Sequence, residues 1–260
     1  MNILDRIIEH KRQEVLLLRT SGIKEPATAP APLRGFSSAL VATSDVAIIA
    51  EVKKASPSKG LICPDFHPVD IAKDYEAGGA SAISVLTDEV FFQGSLKFLP
   101  LIKDATGLPV LRKDFIIDHL QVKEARIWGA DAILLIVACL EYSLMHELYS
   151  HAKELSMDVL VETHDEAEME LAIKMGADLI GVNNRNLKTF EVSLDTTFRL
   201  QKLAHSLAPI VSESGISTHD DMKRLRDNGI AAALIGEGIV KHKNRVEALK
   251  GMVEAGSSFR

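Results

Sequence analysis

Eight short apolar runs, each followed by a segment of helical period, constrain this chain more than any other feature. The runs are VAIIAEV (46–52), SAISVLT (81–87), PVLRKD (109–114), DAILLIV (131–137), MDVLVET (157–163), DLIGVNN (178–184), APIVSES (208–214) and AAALIGE (231–237). They are rich in Val, Ile and Leu, as strands buried on both faces are. Segments such as VDIAKDYEAGG, HLQVKEARIWG, DEAEMELAIKMG and HDDMKRLRDNG separate them, and several end in Gly, which tolerates the left-handed turn that closes a helix. Gly79-Ala80, Gly129-Ala130 and Gly176-Ala177 each lead into a run, as does Gly229, at intervals of 50, 47 and 53 residues. Each interval holds about two strand–helix units. The 260 residues could make two small domains or one large barrel. Eight units after residue 46 fit a closed (β/α)8 barrel, the TIM-barrel architecture, better than an open doubly wound sheet. The absence of GxGxxG after the first run also weighs against a dinucleotide-binding fold.

The first 45 residues precede the repeats. Ile3, Leu4, Ile7, Ile8, Val15 and Leu18 predict an amphipathic helix over 2–19, and three prolines within 26–35 end it. The expected division is an extension, 1–45, packed as helix and loop over one mouth of a barrel spanning 46–260.

Composition excludes several classes. A 47% apolar content is too high for disorder. Two cysteines cannot build a disulfide framework and suit a reducing, cytoplasmic compartment. The longest apolar run, 132–140, is far short of the roughly 18 residues of a membrane span, and the charged N-terminus lacks a signal-peptide core. A net charge of −6 argues against nucleic acid as a partner. No HExxH or zinc-spaced histidine cluster suggests a metal, and no cofactor is expected.

A barrel of this type works at the C-terminal ends of its strands. There the chain places Glu51 and Lys53, then Lys113, Glu162, Asn183, Glu213 and finally Gly236-Glu237. Side chains alternate along a strand. Glu51 and Lys53 therefore share a face with Ala47 and Ile49, Lys113 with Leu111, Glu162 with Leu160, and Glu213 with Val211. These fall on the first, third, fifth and seventh strands, which feed one side-chain layer. An inward charge must be paired or meet a charged ligand; read singly, each of these could equally be a solvated loop residue. In EVKKASPSKG (51–60), Ser56 and Ser58 could bind an anionic oxygen or simply form a turn. Gly215, Gly236 and Glu237, the last through its N–H, are candidates for a phosphate site after the seventh and eighth strands.

With those residues placed, the chain resembles the indole-3-glycerol-phosphate synthase family. The matching blocks are IIAEVKKASPSKG, SVLTDEVFFQGS, PVLRKDFIID, GADAILLI, LVETHDEAE, IGVNNRNLKTF, SESGI and LIGEGIV, in order along the whole barrel. The resemblance implies a carboxy-lyase of tryptophan biosynthesis acting on 1-(2-carboxyphenylamino)-1-deoxyribulose 5-phosphate. It would close the ring and lose carbon dioxide and water to give indole-3-glycerol phosphate. By that resemblance Lys113 is the general acid of ring closure, Glu162 assists proton transfer, and Glu51 and Lys53 complete the set. It leaves the division of roles among Lys53, Glu51 and Glu162 open. Asn183, Arg185, Ser56 and Glu213 would orient the substrate, and Ser214, Gly215, Gly236 and Glu237 surround its phosphate. Phe92, Phe115 and Leu134 are candidates for the ring pocket or for core packing. Asn186, Ser193, Gly238 and Val240 depart from the family pattern, none at a proposed catalytic position. A monomer or weak homo-oligomer without a fused isomerase domain is expected. A phosphoribosylanthranilate isomerase would need a cysteine near the end of the first strand, where Glu51 and Lys53 stand. A silent barrel would be expected to lack Lys113, Glu162 or Lys53.

Overall fold

The computed structural model describes residues 3–42, 44–186, 189–204 and 207–257. Residue 2, where the first helix was expected to begin, and residues 258–260 lie outside them. Eight parallel strands close into one barrel: β1 (Ala47–Val52), β2 (Ala82–Leu86), β3 (Val110–Lys113), β4 (Ala132–Ile136), β5 (Asp158–Thr163), β6 (Ile180–Asn183), β7 (Ile210–Glu213) and β8 (Ala232–Ile235). Each pairs with its neighbours in sequence, and β8 closes on β1 with Ala47 opposite Ala232. The two-residue side-chain period sorts the apolar residues into two cores. Ala47, Ile49, Leu111, Leu134, Leu160, Val211 and Leu234 point inward and fill the barrel. Ile48, Ala50, Val52, Ile83, Ile133, Val161 and Ala233 point outward beneath the helices. The strands are therefore apolar on both faces, which is why they read as uninterrupted runs.

The helices are α1 (Ile3–Ser21), α2 (Phe36–Leu40), α3 (Pro68–Ala77), α4 (Glu89–Phe92), α5 (Phe98–Ala105), α6 (His119–Ile127), α7 (Tyr142–Glu154), α8 (Glu166–Met175), α9 (Asp195–Ala204), α10 (His219–Asp227), α11 (Glu237–Val240) and α12 (Arg245–Gly256). Asp88, Asp118, Asp165, Thr218 and Asn244 cap five of them by accepting from first-turn N–H groups. Gly79, Gly129, Gly176 and Gly229 have φ of +70° to +90° and turn the chain from helix into the following strand. The near-50-residue glycine spacing thus records a left-handed turn that side chains would strain.

The N-terminal extension reaches both ends of the barrel, not one mouth. α1 lies over the loops after β2 and β3, where Lys11 meets Asp88 and Asp114 and Arg19 meets Asp118. Residues 22–35 then descend the outer face. Trp128 donates to the Lys24 carbonyl, and Arg34 donates to the carbonyls of Lys103 and Leu108. α2 closes the opposite end, with Phe36 and Leu40 joining the inner core and the Ser37 N–H bonded to Asp158. One segment therefore contacts the loops at the C-terminal ends of the strands and stoppers the other end.

Candidate active site

The C-terminal ends of the strands open into a cavity of about 760 Å³. It is lined by Glu51, Lys53, Ser56, Phe92, Lys113, Phe115, Leu134, Glu162, Asn183, Arg185, Glu213, Ser214, Gly215, Gly236 and Glu237. The structure therefore brings together every side chain singled out at the strand ends. Six residues from the ends of five strands form its floor. Lys113 Nζ lies 2.8 Å from Glu213 Oε2 and 3.2 Å from Glu162 Oε2. Asn183 Nδ2 donates to Glu162 Oε1 at 3.1 Å, and Lys53 pairs with Glu51. Glu51, Glu162 and Glu213 are buried.

Space for these groups comes from glycines in the same layer. A Cβ on Gly181 would overlap Glu213 Oε1, and one on Gly236 would overlap Glu51 Oε2. Both positions face inward, where any side chain would displace a carboxylate.

Burial and pairing drive the floor groups apart. For Lys113, burial opposes the charge, but the Glu213 and Glu162 carboxylates outweigh it and hold the ammonium above its ordinary range. For Glu162, burial acts the other way; Lys113 and His164 prevail and keep the carboxyl well below the usual range. Burial pushes Glu213 up to about 7, with Lys113 opposing and Glu162 reinforcing the rise. Glu213 Oε1 has no hydrogen-bond partner although it is buried. Two carboxylates beside one ammonium thus differ in their hold on a proton.

The walls differ in character. One side is apolar: Phe92 and Phe115 lie 6.1 Å apart between ring centroids, and Leu86, Leu134 and Ile136 continue the surface. Ile3, Leu4 and Ile7 of α1 also reach it. Opposite stand the turns after β7 and β8. Ser214 and Gly215 both adopt positive φ, 67° and 80°, an unusual conformation for serine that turns the backbone into the cavity. Gly236 precedes α11, whose first N–H groups, at Glu237 and Gly238, have no partner within the helix. Lys59, Lys241 and His242 add cations or donors on that side. Ser56 pairs with Gly60 in a two-residue hairpin after β1, where Gly60 has φ +66°. The loop after β6 folds over the cavity through the Arg185–Val192 bridge and brings Phe190 with it.

The family model described as indole-3-glycerol phosphate synthase matches residues 4–252. The chain belongs to the indole-3-glycerol phosphate synthase family. Curated relatives of that name include one from Desulfotalea psychrophila, 54% identical over 244 residues, covering 92% of this chain and 94% of that one. Another, from Chlorobium phaeovibrioides, is 52% identical over 244 residues, covering 92% of this chain and 95% of that one. Solved structures show the fold alone. A 3-hexulose-6-phosphate synthase superposes with a TM-score of 0.67 at 14% identity, covering 82% of this chain and 100% of that one. An N-acetylmannosamine-6-phosphate 2-epimerase from Clostridium perfringens gives 0.63 at 16% identity, covering 80% of this chain and 93% of that one. The family match spans α1 and the barrel alike, so the helix that lends Ile3, Leu4 and Ile7 to the cavity lies almost wholly within it.

Sequence reasoning passed over several of these residues. Ile3, Leu4 and Ile7 looked only like a helix face, because nothing local says which end of the barrel α1 covers. Gly181 and His164 carried a usable signal. Gly181 has the same strand parity as Asn183, and His164 the same as Glu162.

Proposed function

We propose that this cavity is where the chain, as an indole-3-glycerol phosphate synthase, converts 1-(2-carboxyphenylamino)-1-deoxyribulose 5-phosphate into indole-3-glycerol phosphate. The observation that carries the reading is Lys113 Nζ held between Glu162 and Glu213, with an apolar wall on one side and glycine turns on the other. The substrate has three matching parts: an aromatic ring, a ketone and a phosphate. The ring lies against Phe92, Phe115 and Leu134. The phosphate faces the turns of Ser214–Gly215 and Gly236–Glu237, where backbone N–H groups supply donors without a net charge. The ketone then falls over the floor.

In the first step the ring carbon that bears the carboxylate attacks the ketone carbon. Negative charge grows on the ketone oxygen, and the Lys113 ammonium stabilises and protonates it. The nitrogen, now an iminium, draws in the electron pair released as carbon dioxide leaves. Dehydration follows: the new hydroxyl departs with a proton from an acid, and a base takes the C–H proton that restores aromaticity. Glu162, held ionised, has the character of the base. The Lys53–Glu51 pair completes the exchange, and Asn183 fixes the Glu162 carboxylate through Oε1. Ser56, Arg185 and Glu213 orient the substrate.

We take residues 1–45 and 46–260 as an extension and a catalytic barrel that act as one unit, because α1 supplies part of the ring wall. The placement in the cytoplasm, as a monomer or weak homo-oligomer without nucleic acid, rests on composition and on the free Cys63 and Cys139. No helix among the described residues is long and apolar enough to cross a membrane.

The test is direct. Purified protein mixed with the carboxyphenylamino-deoxyribulose phosphate should develop indole fluorescence without added metal. No product under those conditions would defeat the reading.

A further inference from the structure

His164 stands one residue past the end of β5 and two past Glu162, so the two side chains leave the same side of an extended chain. Its Nε2 lies 3.2 Å from Glu162 Oε1. On the other side of the ring, Nδ1 lies 2.9 Å from Glu168 Oε2. That same carboxylate oxygen accepts the backbone N–H of His164 at 2.8 Å. Glu168, in the first turn of α8, therefore grips both the ring and the backbone that carries it. The His164 side chain is only 10% exposed.

The groups facing Glu162 are few. Lys113 approaches from β3, the uncharged Asn183 amide from β6, Glu213 from β7 and His164 from beyond β5. His164 itself faces Glu162 and Glu168, and the half-buried Cys139 thiol, in the turn after β4, lies in the field of both carboxylates. Burial works against a charge on the ring, yet the two carboxylates prevail and raise it to about 10. The two oxygens of Glu162 consequently have separate duties. Oε2 faces Lys113, while Oε1 accepts from the Asn183 amide and has His164 Nε2 at 3.2 Å as a charge contact, a ring nitrogen with no hydrogen-bond partner among the described residues.

We propose that His164, clamped by Glu168, is a positioning residue for Glu162, setting its imidazolium against Oε1 so that the ionised carboxylate presents Oε2 to Lys113 and the substrate. This rests on the reading of Glu162 given above. A histidine in this place does what asparagine alone cannot. It orients the carboxylate and adds a positive charge that favours the ionised form. The Glu168 contact fixes which way the ring faces, as a carboxylate partner commonly does for a working histidine.

The experiment is a double-mutant cycle with pH profiles. His164→Gln keeps a donor that can reach Oε1 but removes the charge. It should lower kcat at pH 7 about tenfold and leave KM within about twofold, because the lost contact serves the reaction and not substrate binding. The acid limb of its kcat profile should rise by about one pH unit, since Glu162 is then easier to protonate. Glu168→Gln should move the limb the same way by less. In a Glu162→Gln background, His164→Gln should cost nothing further. An unmoved limb in a folded His164→Gln protein overturns the proposal. So does an undiminished tenfold loss in the Glu162→Gln background. If Glu162→Gln by itself turns over like the parent, the assignment of Glu162 fails first, which separates the two readings. Circular dichroism and Tm check each variant. Should His164→Gln fail to fold, Glu168→Gln carries the test, and an unmoved limb there is equally fatal.

Discussion

Lys113 pairs with two of the three floor carboxylates, at 2.8 Å from Glu213 and 3.2 Å from Glu162. Lys113→Ala should lower turnover by about three orders of magnitude or more, because on the proposed mechanism it removes both the proton donor and the charge that meets the ketone oxygen. Folding should survive. Glu213, already pushed up to about 7 by burial, can take a proton when its ammonium partner goes. Near-normal kcat in a folded variant would remove Lys113 from the role of acid. The floor also depends on a side chain that is missing. Alanine at Gly181 would overlap Glu213 Oε1 and press on Leu160. Gly181→Ala should cost about 1–3 kcal/mol and reduce kcat by displacing Glu213 from Lys113, seen as lower Tm and turnover together. Strand parity was enough to place Glu51, Lys113, Glu162 and Glu213 on one layer. It could not say which carboxylate would hold a proton, because that depends on burial and partners brought in from other strands.

Among the elements, α1 shows where pattern reading stops. Its buried residues are Ile7, Lys11 and Val15, one per turn, with a lysine at the centre of the apolar stripe. Residue type assigns a lysine to the solvent face, even where the period puts it in the stripe. Asp88 and Asp114, 77 and 103 residues further along, lie 2.8 and 2.9 Å from Nζ and, with Glu14 one turn on at 2.8 Å, make its burial tolerable. Those carboxylates also hold the aromatic wall of the cavity. Asp88 accepts from the N–H of Phe91 and Phe92, and Asp114 from that of Phe115. Lys11 is thus the pin between the extension and the Phe92–Phe115 pair. Lys11→Met leaves buried Asp88 without its cation and Asp114 with Arg112 alone, and should cost about 3–5 kcal/mol. It should also raise KM as the aromatic wall loosens. Burial pushes the Asp114 carboxyl up, but Lys11 and Arg112 prevail and hold it well below the usual range. A carboxyl depressed on folding contributes its stability above its unfolded value and loses it as pH falls toward the folded one. The stability gap between parent and Lys11→Met should therefore be full above about pH 4 and narrow below it. A gap independent of pH, measured by denaturant unfolding, would remove Asp114 from the account.

The molecule as a whole divides its work between the two ends of the barrel. The eight runs and the left-handed glycines made the closed sheet legible, because each is a local signal repeated eight- or fourfold. The path of the extension was not legible, because every contact that fixes it spans long sequence separations. Asp131 is the hub of the end remote from the cavity and is only 1% exposed. Its Oδ1 receives Lys103 Nζ at 2.5 Å and the Arg34 N–H at 2.6 Å, and its Oδ2 receives the Val110 N–H at 2.8 Å. One carboxylate thereby ties the extension to α5 and to the start of β3. Lys103 is fully buried, so neutralising its partner leaves it uncompensated. Asp131→Asn also turns an amide N–H toward the Val110 or Arg34 N–H, a donor facing a donor. The expected cost is about 3 kcal/mol, or a Tm lower by roughly 6–12 °C. If the ends are functionally separate, kcat at 25 °C should stay within about twofold of the parent, since no floor group is touched. A variant with unchanged Tm and impaired kcat would show that the remote end reaches the active one by a route other than stability.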